Sequence, residues 1–458
     1  MAEYATLTQD TLLKLLEKKK YIVLRDFLSE MNEMDIAALF ADMPQDRLPL
    51  LFRLLPKELA ADTFVEMEPD AQELLIQGFS DRELREVLDE LYVDDAVDIV
   101  EEMPANVVRR ILAQADPDFR QQINEILRYP ENSAGSLMTT ECVTLRPEMT
   151  VEEAIKRIRR TGVDKETIYT CYVTVGRKLV GMLSVKDLLL CQDDDTPISE
   201  IMEDNVISVT TLEDRENVAQ MFSKYNFLAL PVVDGEHRLV GIITFDDAMD
   251  VLEDEVTEDM EIMAAMLPSE KPYLKSSVAS IWKNRIPWLL LLMISATFTG
   301  MILNHFEEAL AAQIVLSTFI PMLMDTAGNS GSQTSVTIIR GLSLGEIEMK
   351  DLPQVLWKEC RVAIMCGFTL AAAVFLKMLL VDKWLMGGAG ITLGVIFTVC
   401  ITMGVTIILA KLVGGTLPIV AEKLGFDPAV MASPFITTIV DALARLVYFQ
   451  VATLLLGL

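Results

Sequence analysis

Two stretches of this chain place oxygen chemistry in apolar surroundings. One is "DTAGNSGSQTS", Asp325 to Ser335, where an aspartate, an asparagine, a glutamine and several hydroxyls follow the run "IVLSTFIPMLM". The other is "PFITTIVDALARLVYF", in which Asp441 sits in an aliphatic run with Arg445 one helical turn on. Carboxylates, amides and hydroxyls are hard donors, suited to a hydrated divalent cation rather than to soft-ligand metals. At membrane depth such groups persist only when buried in protein or facing water. For Asp441 two readings stand side by side: an ion pair with Arg445 on the same helical face, and a fixed charge that holds a cation. A third concentration of carboxylates lies outside the apolar runs. Asp94, Asp95 and Asp98 put acids one turn apart on one helical face, and "DDAMDVLEDEVTEDMEIM", Asp246 to Met263, is acidic along most of its length. The usual fate of such faces is solvation. Brought together they repel, by about 3 kcal/mol for one pair at roughly 5 Å and an effective dielectric of 20, and a divalent cation between them reverses that sign.

These residues require two very different supports. Residues 271–458 hold 11 acidic and 13 basic side chains, against 57 and 26 in residues 1–270. A strongly acidic soluble part therefore precedes a nearly neutral, apolar one, and the acidity excludes nucleic acid as a partner. Apolar runs at 286–304, 312–338, 360–381, 389–416 and 430–457 each match the roughly 20 residues of a membrane-crossing helix, which predicts five spans. Lys275, Lys283 and Arg285 precede the first run, the loop "NHFEEAL" after it lacks Lys and Arg, and Arg340, Lys350, Lys358 and Arg361 fill the second loop. The positive-inside rule then places the acidic part in the cytosol and the C-terminus outside. The second span reads as one helix, bent near Pro321 and opened around Gly328 and Gly331, with a re-entrant hairpin as the alternative. Six cysteines without CxxC spacing predict neither structural zinc nor a disulfide framework, and "MAEYATLTQD" predicts no cleavable signal.

Within the soluble part, "SLMTTECVTLRPEMTVEEAIKRI" matches "EIMEDNVISVTTLEDRENVAQMF" 64 positions later, and "RKLVGMLSVKDLL" matches "HRLVGIITFDDAM" 60 positions later. Each copy reads as strand, helix, strand, strand, helix. The opening hydrophobe–Met pair and the closing "LVG-h-h-[ST]-x-x-D" resemble a tandem pair of CBS domains, about 128–192 and 193–252. Such pairs often hold adenine nucleotides, which points to ATP near Ser184 and Asp187, with Thr244 and Asp247 in the second copy; helix capping is the plain alternative. Residues 1–127 read as all helix, with "DIAALFADMP", "ADTFVEMEP" and "DAVDIVEEMP" repeating a helix–turn unit that ends at Pro44, Pro69 and Pro104, a superhelical array. Residues 253–284 read as an acidic connecting helix leading to the membrane, with Trp282 and the basic residues at its surface.

Helical N-terminal array, CBS pair, connecting helix and a five-span transmembrane domain over 285–458, in that order, together with "PMLMDTAGNSGSQTS" and "DPAVMASPFITTIVD", resemble the MgtE family of magnesium channels across essentially the whole chain. The resemblance implies a multidomain integral membrane protein of the bacterial plasma (inner) membrane. It also implies a homodimer with a pore on the two-fold axis between the second and fifth spans. Asp441 falls at the family's pore aspartate, Gly328, Asn329, Ser330 and Gln333 in its pore-lining stretch, and Asp427 near the pore's inner end. Regulatory Mg2+ is implied at Asp94 and Asp98 of the N domain and at Asp214, Glu216, Asp247, Asp250, Glu255, Glu258 and Asp259 of the CBS pair and connecting helix. Asn226 stands where an aspartate is common, and Arg445 is an unexpected cation beside the pore carboxylate. The implied mechanism is feedback: cytosolic Mg2+ bridges acidic faces and closes the pore, and its scarcity lets them separate. Co2+ or Mn2+ transport is the alternative within this class. A membrane aspartyl protease using Asp325 and Asp441 as a dyad is the alternative outside it, although its usual GxGD surroundings are missing.

Overall fold

The computed structural model describes residues 9–269, 273–274, 276–306, 313–387 and 390–457, and its contacts divide into two units, Met1–Leu252 and Glu253–Leu458. In the first, ten helices among the described residues precede the repeat, from α1 (Gln9–Glu17) to α10 (Pro117–Ile126). Their recurring Met–Pro signature does two jobs. Met43, Met67 and Met103 follow the last turn of a helix and are buried in the core. Pro69 opens the next helix and Pro104 sits at the N-cap of another, positions where the missing N–H has no intrahelical partner to lose.

The repeat forms two three-stranded sheets. β1 (Val143–Leu145) runs parallel to β2 (Thr170–Val175), which pairs antiparallel with β3 (Lys178–Ser184). The same order returns in β4 (Val209–Thr210), β5 (Ala229–Val233) and β6 (Leu239–Thr244). α11 (Val151–Thr161) and α14 (Arg215–Tyr225) cross from first to second strand in each copy, and α12 (Val185–Leu190) and the short α13 (Ile198–Ile201) link the copies. The two signatures of the repeat meet across the pair. A Cβ on Gly241 would lie 2.5 Å from the Thr139 carbonyl oxygen and 2.9 Å from Met138 Sδ, and one on Gly181 2.6 Å from Met202 Sδ. The methionine that opens each copy thus packs on the "LVG" glycine of the other, which is why both recur. Bridges Thr139–Ile242 and Met182–Glu203 fix this exchange.

The division between units falls within α15 (Phe245–Met263). The connecting helix expected over 253–284 therefore starts earlier and stops sooner. Ala265 takes a left-handed φ of 56° and Pro268 follows, both hostile to a continuing helix. Trp282, Lys283 and Arg285 belong instead to the first turns of α16 (Val278–His305), whose N-cap Ser277 accepts from Ser280 N–H. Then come α17 (Ile320–Ser343), α18 (Leu352–Lys377) with a π-helical extension Met378–Leu385, α19 (Leu393–Lys423) and α20 (Ser433–Leu456). Among the described residues four stretches are long and apolar enough to cross a bilayer: Val278–His305, Met349–Leu385, Leu393–Lys423 and Pro428–Leu456. α17 has the length, 24 residues or about 36 Å, and misses that criterion through its polar side chains. The expected starts of the second and fourth spans, at 312 and 389, lie outside the described residues, as do Lys275 and residues 307–310. α19 is the central helix. Its Val395, Val399, Met403, Ile407 and Ala410 share one buried cluster with Leu323 and Ala327 of α17 and Ile436, Val440 and Ala444 of α20.

Candidate functional site

The acidic face forms where α8 (Val93–Glu102) meets the second repeat. Val93, Ala96 and Val97 are buried against Phe222, Leu230, Val232, Ile243 and Ala248, and this apolar docking forces the other side of α8 toward the start of α15. Asp94 is left 7% exposed, its Oδ1 without a hydrogen-bond partner among the described residues. Burial, then Asp247, Asp95 and Glu166, hold it well above the usual carboxylate range. Burial followed by Asp247, Asp246 and Glu66 pushes Asp95 up to about 7. Asp98, one turn on, keeps its side chain exposed to solvent, and the crowded protein around it, with Asp247, pushes it up to about 7. Glu166 rises to about 8 through burial, Asp95, Asp246 and Asp247, and its Oε2 is a second buried acceptor without a partner. Asp247 reaches about 6 by burial, against the lowering effect of its hydrogen bond from Thr244. Carboxylates that raise one another in this way are an arrangement that a cation would stabilise.

Of the residues singled out in the sequence, Asp94, Asp98 and Asp247 thus come together, and Asp250 joins them by acting on Glu66 of the helical array. Glu66, Glu141 and Glu166 were not foreseen. Glu141 Oε2 accepts from Val93 N–H at 3.2 Å, at the positive end of α8; its one sequence signal is its place three residues after the opening Met138. Asp214 and Glu216 lie elsewhere, at the start of α14, where Asp214 caps the helix by accepting from Glu216 N–H at 2.9 Å. Asn226 ends α14 with a left-handed φ of 55°, a conformation asparagine tolerates well, so its identity has a local cause. Ser184 Oγ lies 2.6 Å from Asp187 Oδ2 in a capping box on α12, and Thr244 Oγ1 lies 2.5 Å from Asp247 Oδ2. Both pairs fill the capping role. Among the described residues no three His, Cys, Asp or Glu side chains converge tightly enough to chelate a bare ion.

In the second unit α17 has two distinct faces and is preceded by a 3-10 stretch, Ile314–Phe319, and the predicted opening does not occur. Pro321 stands in the first turn, and the helix runs unbroken through Gly328 and Gly331. The glycines serve close packing. A Cβ on Gly331 would lie 2.9 Å from Ile436 Cγ2 and 3.2 Å from the Ala410 carbonyl, and one on Gly414 would collide with the Gly331 carbonyl. Gly328 and Ser330 are on this buried face. Asp325, Asn329, Gln333, Thr337 and Arg340 are exposed along the other, at spacings of three and four, so they form one polar stripe. Ser335 ties the helix to the approach of α20 by donating to the Met431 carbonyl at 2.6 Å.

Asp441 stands on α20 opposite the glycine face. Its Oδ1 is 3.8 Å from the point where a Gly328 Cβ would be, its Oδ2 is 3.7 Å from Arg445 Nη2, and Asp325 is close enough to act on it. The ion pair read from the sequence therefore forms, but beyond hydrogen-bond reach. A second pair lies deeper. Lys411 Nζ donates to Thr334 Oγ1 at 3.0 Å and sits 3.6 Å from Glu359 Oε2, with both charged side chains mostly buried, and so joins α17, α18 and α19. At the other end of α17, Asp259 Oδ2 accepts from Ser343 Oγ at 3.2 Å. Burial, Asp427 and then Glu255 raise Asp259, against that hydrogen bond and Arg340. Asp427 Oδ1 also accepts from Ala429 N–H at 2.7 Å. Glu258 is the residue before Asp259 on α15.

An acidic unit of helical array and CBS pair, followed by apolar helices with a polar stripe and a loosely paired carboxylate, defines a membrane protein built to handle cations. Residues 320–451 match the MgtE family, described as divalent cation transporter; residues 8–132 match the MgtE intracellular N domain, and 134–193 and 198–254 match CBS domains. The magnesium transporter MgtE of Thermus thermophilus is 36% identical over 438 residues, 94% of this chain and 95% of that protein. The magnesium transporter MgtE of Bacillus subtilis is 31% identical, covering 94% of each. The crystal structure of the cytosolic domain of the Mg2+ channel MgtE in complex with ATP aligns with 53% of this chain and all of that one, at 37% identity and a TM-score of 0.51. The chain belongs to the MgtE family, whose members are transporters rather than enzymes.

Proposed function

We propose that this protein is a Mg2+ channel of the bacterial plasma membrane, which admits magnesium down its electrochemical gradient and closes when cytosolic Mg2+ rises. The observation that carries the reading is the apposition of Asp441 to the glycine face of α17, beside the polar stripe Asp325–Asn329–Gln333. Such a stripe is unstable against lipid and needs water or a second copy of the chain. A homodimer with α17 and α20 on its axis provides both, with Asp441 from each copy attracting one largely hydrated ion. Asn329 and Gln333 hold its water shell, and Gly328 and Ser330 set the helix spacing behind them. The N-terminal unit is cytosolic and the C-terminus outside. The donors are all hard oxygens, which favours Mg2+ over Co2+ or Mn2+.

Regulation rests on the carboxylates. Mg2+ keeps several waters and bridges one or two carboxylates at a time, which suits Asp94, Asp98, Asp247 and Asp250 and the orphaned oxygens of Asp94 and Glu166. Asp259, Glu255, Glu258 and Asp427 serve in the same way at the membrane end of α15, and Asp214 and Glu216 at α14. Many weak sites that favour one arrangement shift the population toward it. ATP binds the CBS pair beside Ser184 and Asp187, as the ATP complex of a relative suggests. The deciding experiment pairs growth rescue of a Mg2+-transport-deficient bacterium with patch conductance at varied cytosolic Mg2+, with Co2+ and Mn2+ in parallel. Asp441→Asn should abolish flux while still assembling; undiminished Mg2+ flux through that variant would overturn the assignment.

A further inference from the structure

The Asp441–Arg445 pair invites comparison with the other intramembrane pair of the same unit. Lys411 is 7% and Glu359 16% exposed at the side chain, and Thr334 hydrogen-bonds to both. That pair is enclosed and cross-linked, as a permanent neutralisation should be. Arg445 is just as well buried, at 14%, but is joined to its partner differently. Its nearest nitrogen stands 3.7 Å from Asp441 Oδ2, and Nε and Nη1 are buried without a partner among the described residues. An arginine kept for structure forms short, bidentate bonds to its carboxylate and satisfies its remaining donors. Asp441 keeps 32% of its side chain exposed, so the guanidinium does not enclose its carboxylate.

We propose that Arg445 is a tethered competitor for the ion site: it holds Asp441 loosely when no Mg2+ is bound and yields to a divalent cation but not to Na+ or K+. This rests on the reading of Asp441 as the ion site. The physical argument is a comparison of charges. Attraction to a carboxylate scales with ionic charge, and a cation fixed to the same helix acts at a high effective concentration. A monovalent ion that enters beside Asp441 meets an equal charge already in place and gains little by displacing it. A divalent ion gains about twice the attraction and can bind with the guanidinium still nearby. Arg445 thereby sets a charge threshold for entry, a specificity role distinct from attraction itself.

The test uses the full-length protein in patches and liposomes, with Arg445→Gln and Arg445→Met as neutral variants and Arg445→Lys as the charge-retaining one. A unit charge at this distance changes affinity about fivefold even at the dielectric of bulk water, and more when partly buried. The neutral variants should therefore need at least about fivefold less Mg2+ for half-maximal flux, and should pass Na+ in Mg2+-free solution, while Arg445→Lys stays near wild type in both. Neutral variants with wild-type half-saturation and no Na+ current would overturn the inference. Failure of both neutral variants to assemble, with Arg445→Lys assembling, would also overturn it and leave Arg445 as a structural counter-ion. Loss of the ion-site reading itself is detected separately, by flux that persists in Asp441→Asn.

Discussion

Replacing Asp95 by Asn tests whether carboxylate repulsion is what opposes docking of the helical array on the CBS pair. In the docked arrangement Asp95 is pushed from 3.8 to about 7, by burial first and then by Asp247, Asp246 and Glu66. Keeping it ionised at pH 8 therefore disfavours this arrangement by up to about 4 kcal/mol. Undocked α8 retains part of the burial and solvent screens the rest, so about 2 kcal/mol, or roughly 30-fold in the docking equilibrium, is the reasonable size. Asn has the same shape without the charge. In Mg2+-free buffer Asp95→Asn should dock about 30-fold more favourably than wild type, and added Mg2+ should gain correspondingly less. Energy transfer between a donor on α2 (Tyr21–Leu28), whose Ile22 is exposed, and an acceptor on the β2–β3 turn at Gly176 reads this in the full chain, with exposed Asp70→Asn as the control. Unchanged or weakened docking of Asp95→Asn without Mg2+ would refute the repulsion argument.

The same carboxylates predict a pH dependence. Asp247, Asp95 and Glu166 titrate near 6, 7 and 8 when docked, above their ordinary values, so docking takes up protons. Without Mg2+ it should strengthen as pH falls from about 8 to about 6 and weaken as pH rises through that window; saturating Mg2+ should flatten the curve in the same energy-transfer assay. Lys411→Met leaves Glu359 buried without its counter-charge and should lower stability in detergent by about 3–5 kcal/mol, most of it restored by Lys411→Met with Glu359→Met, as read by thermal unfolding followed on a sizing column. Gly414→Leu drives a side chain into the Gly331 carbonyl and should destabilise by about 2 kcal/mol or more, whereas Gly404→Ala, with open space at its Cβ, should not; the same unfolding measurement separates them.

The repeat was legible because its signatures encode contacts that must occur twice: Met138 on Gly241 and Met202 on Gly181 are the same packing in two copies. The carboxylates of α8 and α15 were legible through their density, but density does not say which acids meet. Apolar docking of Val93, Ala96 and Val97 decides that, and it draws in Glu141 and Glu166 from positions where a single acid carries no periodic signal. Asp214 has the same residue type and a different neighbourhood. The acidic run Asp246–Met263 coincides with α15 itself, whereas the end expected at 284 followed from where the apolar run begins; a left-handed Ala265 and Pro268 stop the helix well before that.

The polar span raised the opposite problem, since Gly328 and Gly331 read alone suggest an opened helix. A glycine in a helix weakens it by about 1 kcal/mol relative to alanine, yet α17 stays intact because the absent side chains let α19 and α20 approach its backbone. Close backbone approach is the main source of helix association where lipid removes the hydrophobic drive between helices. By concentrating its packing on the small-residue face, α17 leaves Asp325, Asn329 and Gln333 unneeded for its own stability. The polar stripe and the glycines are therefore one design. A helix that had to use its whole circumference for packing could not present amides and a carboxylate along one side. For the same reason α17 falls short of the apolarity of the other spans without falling short of their length.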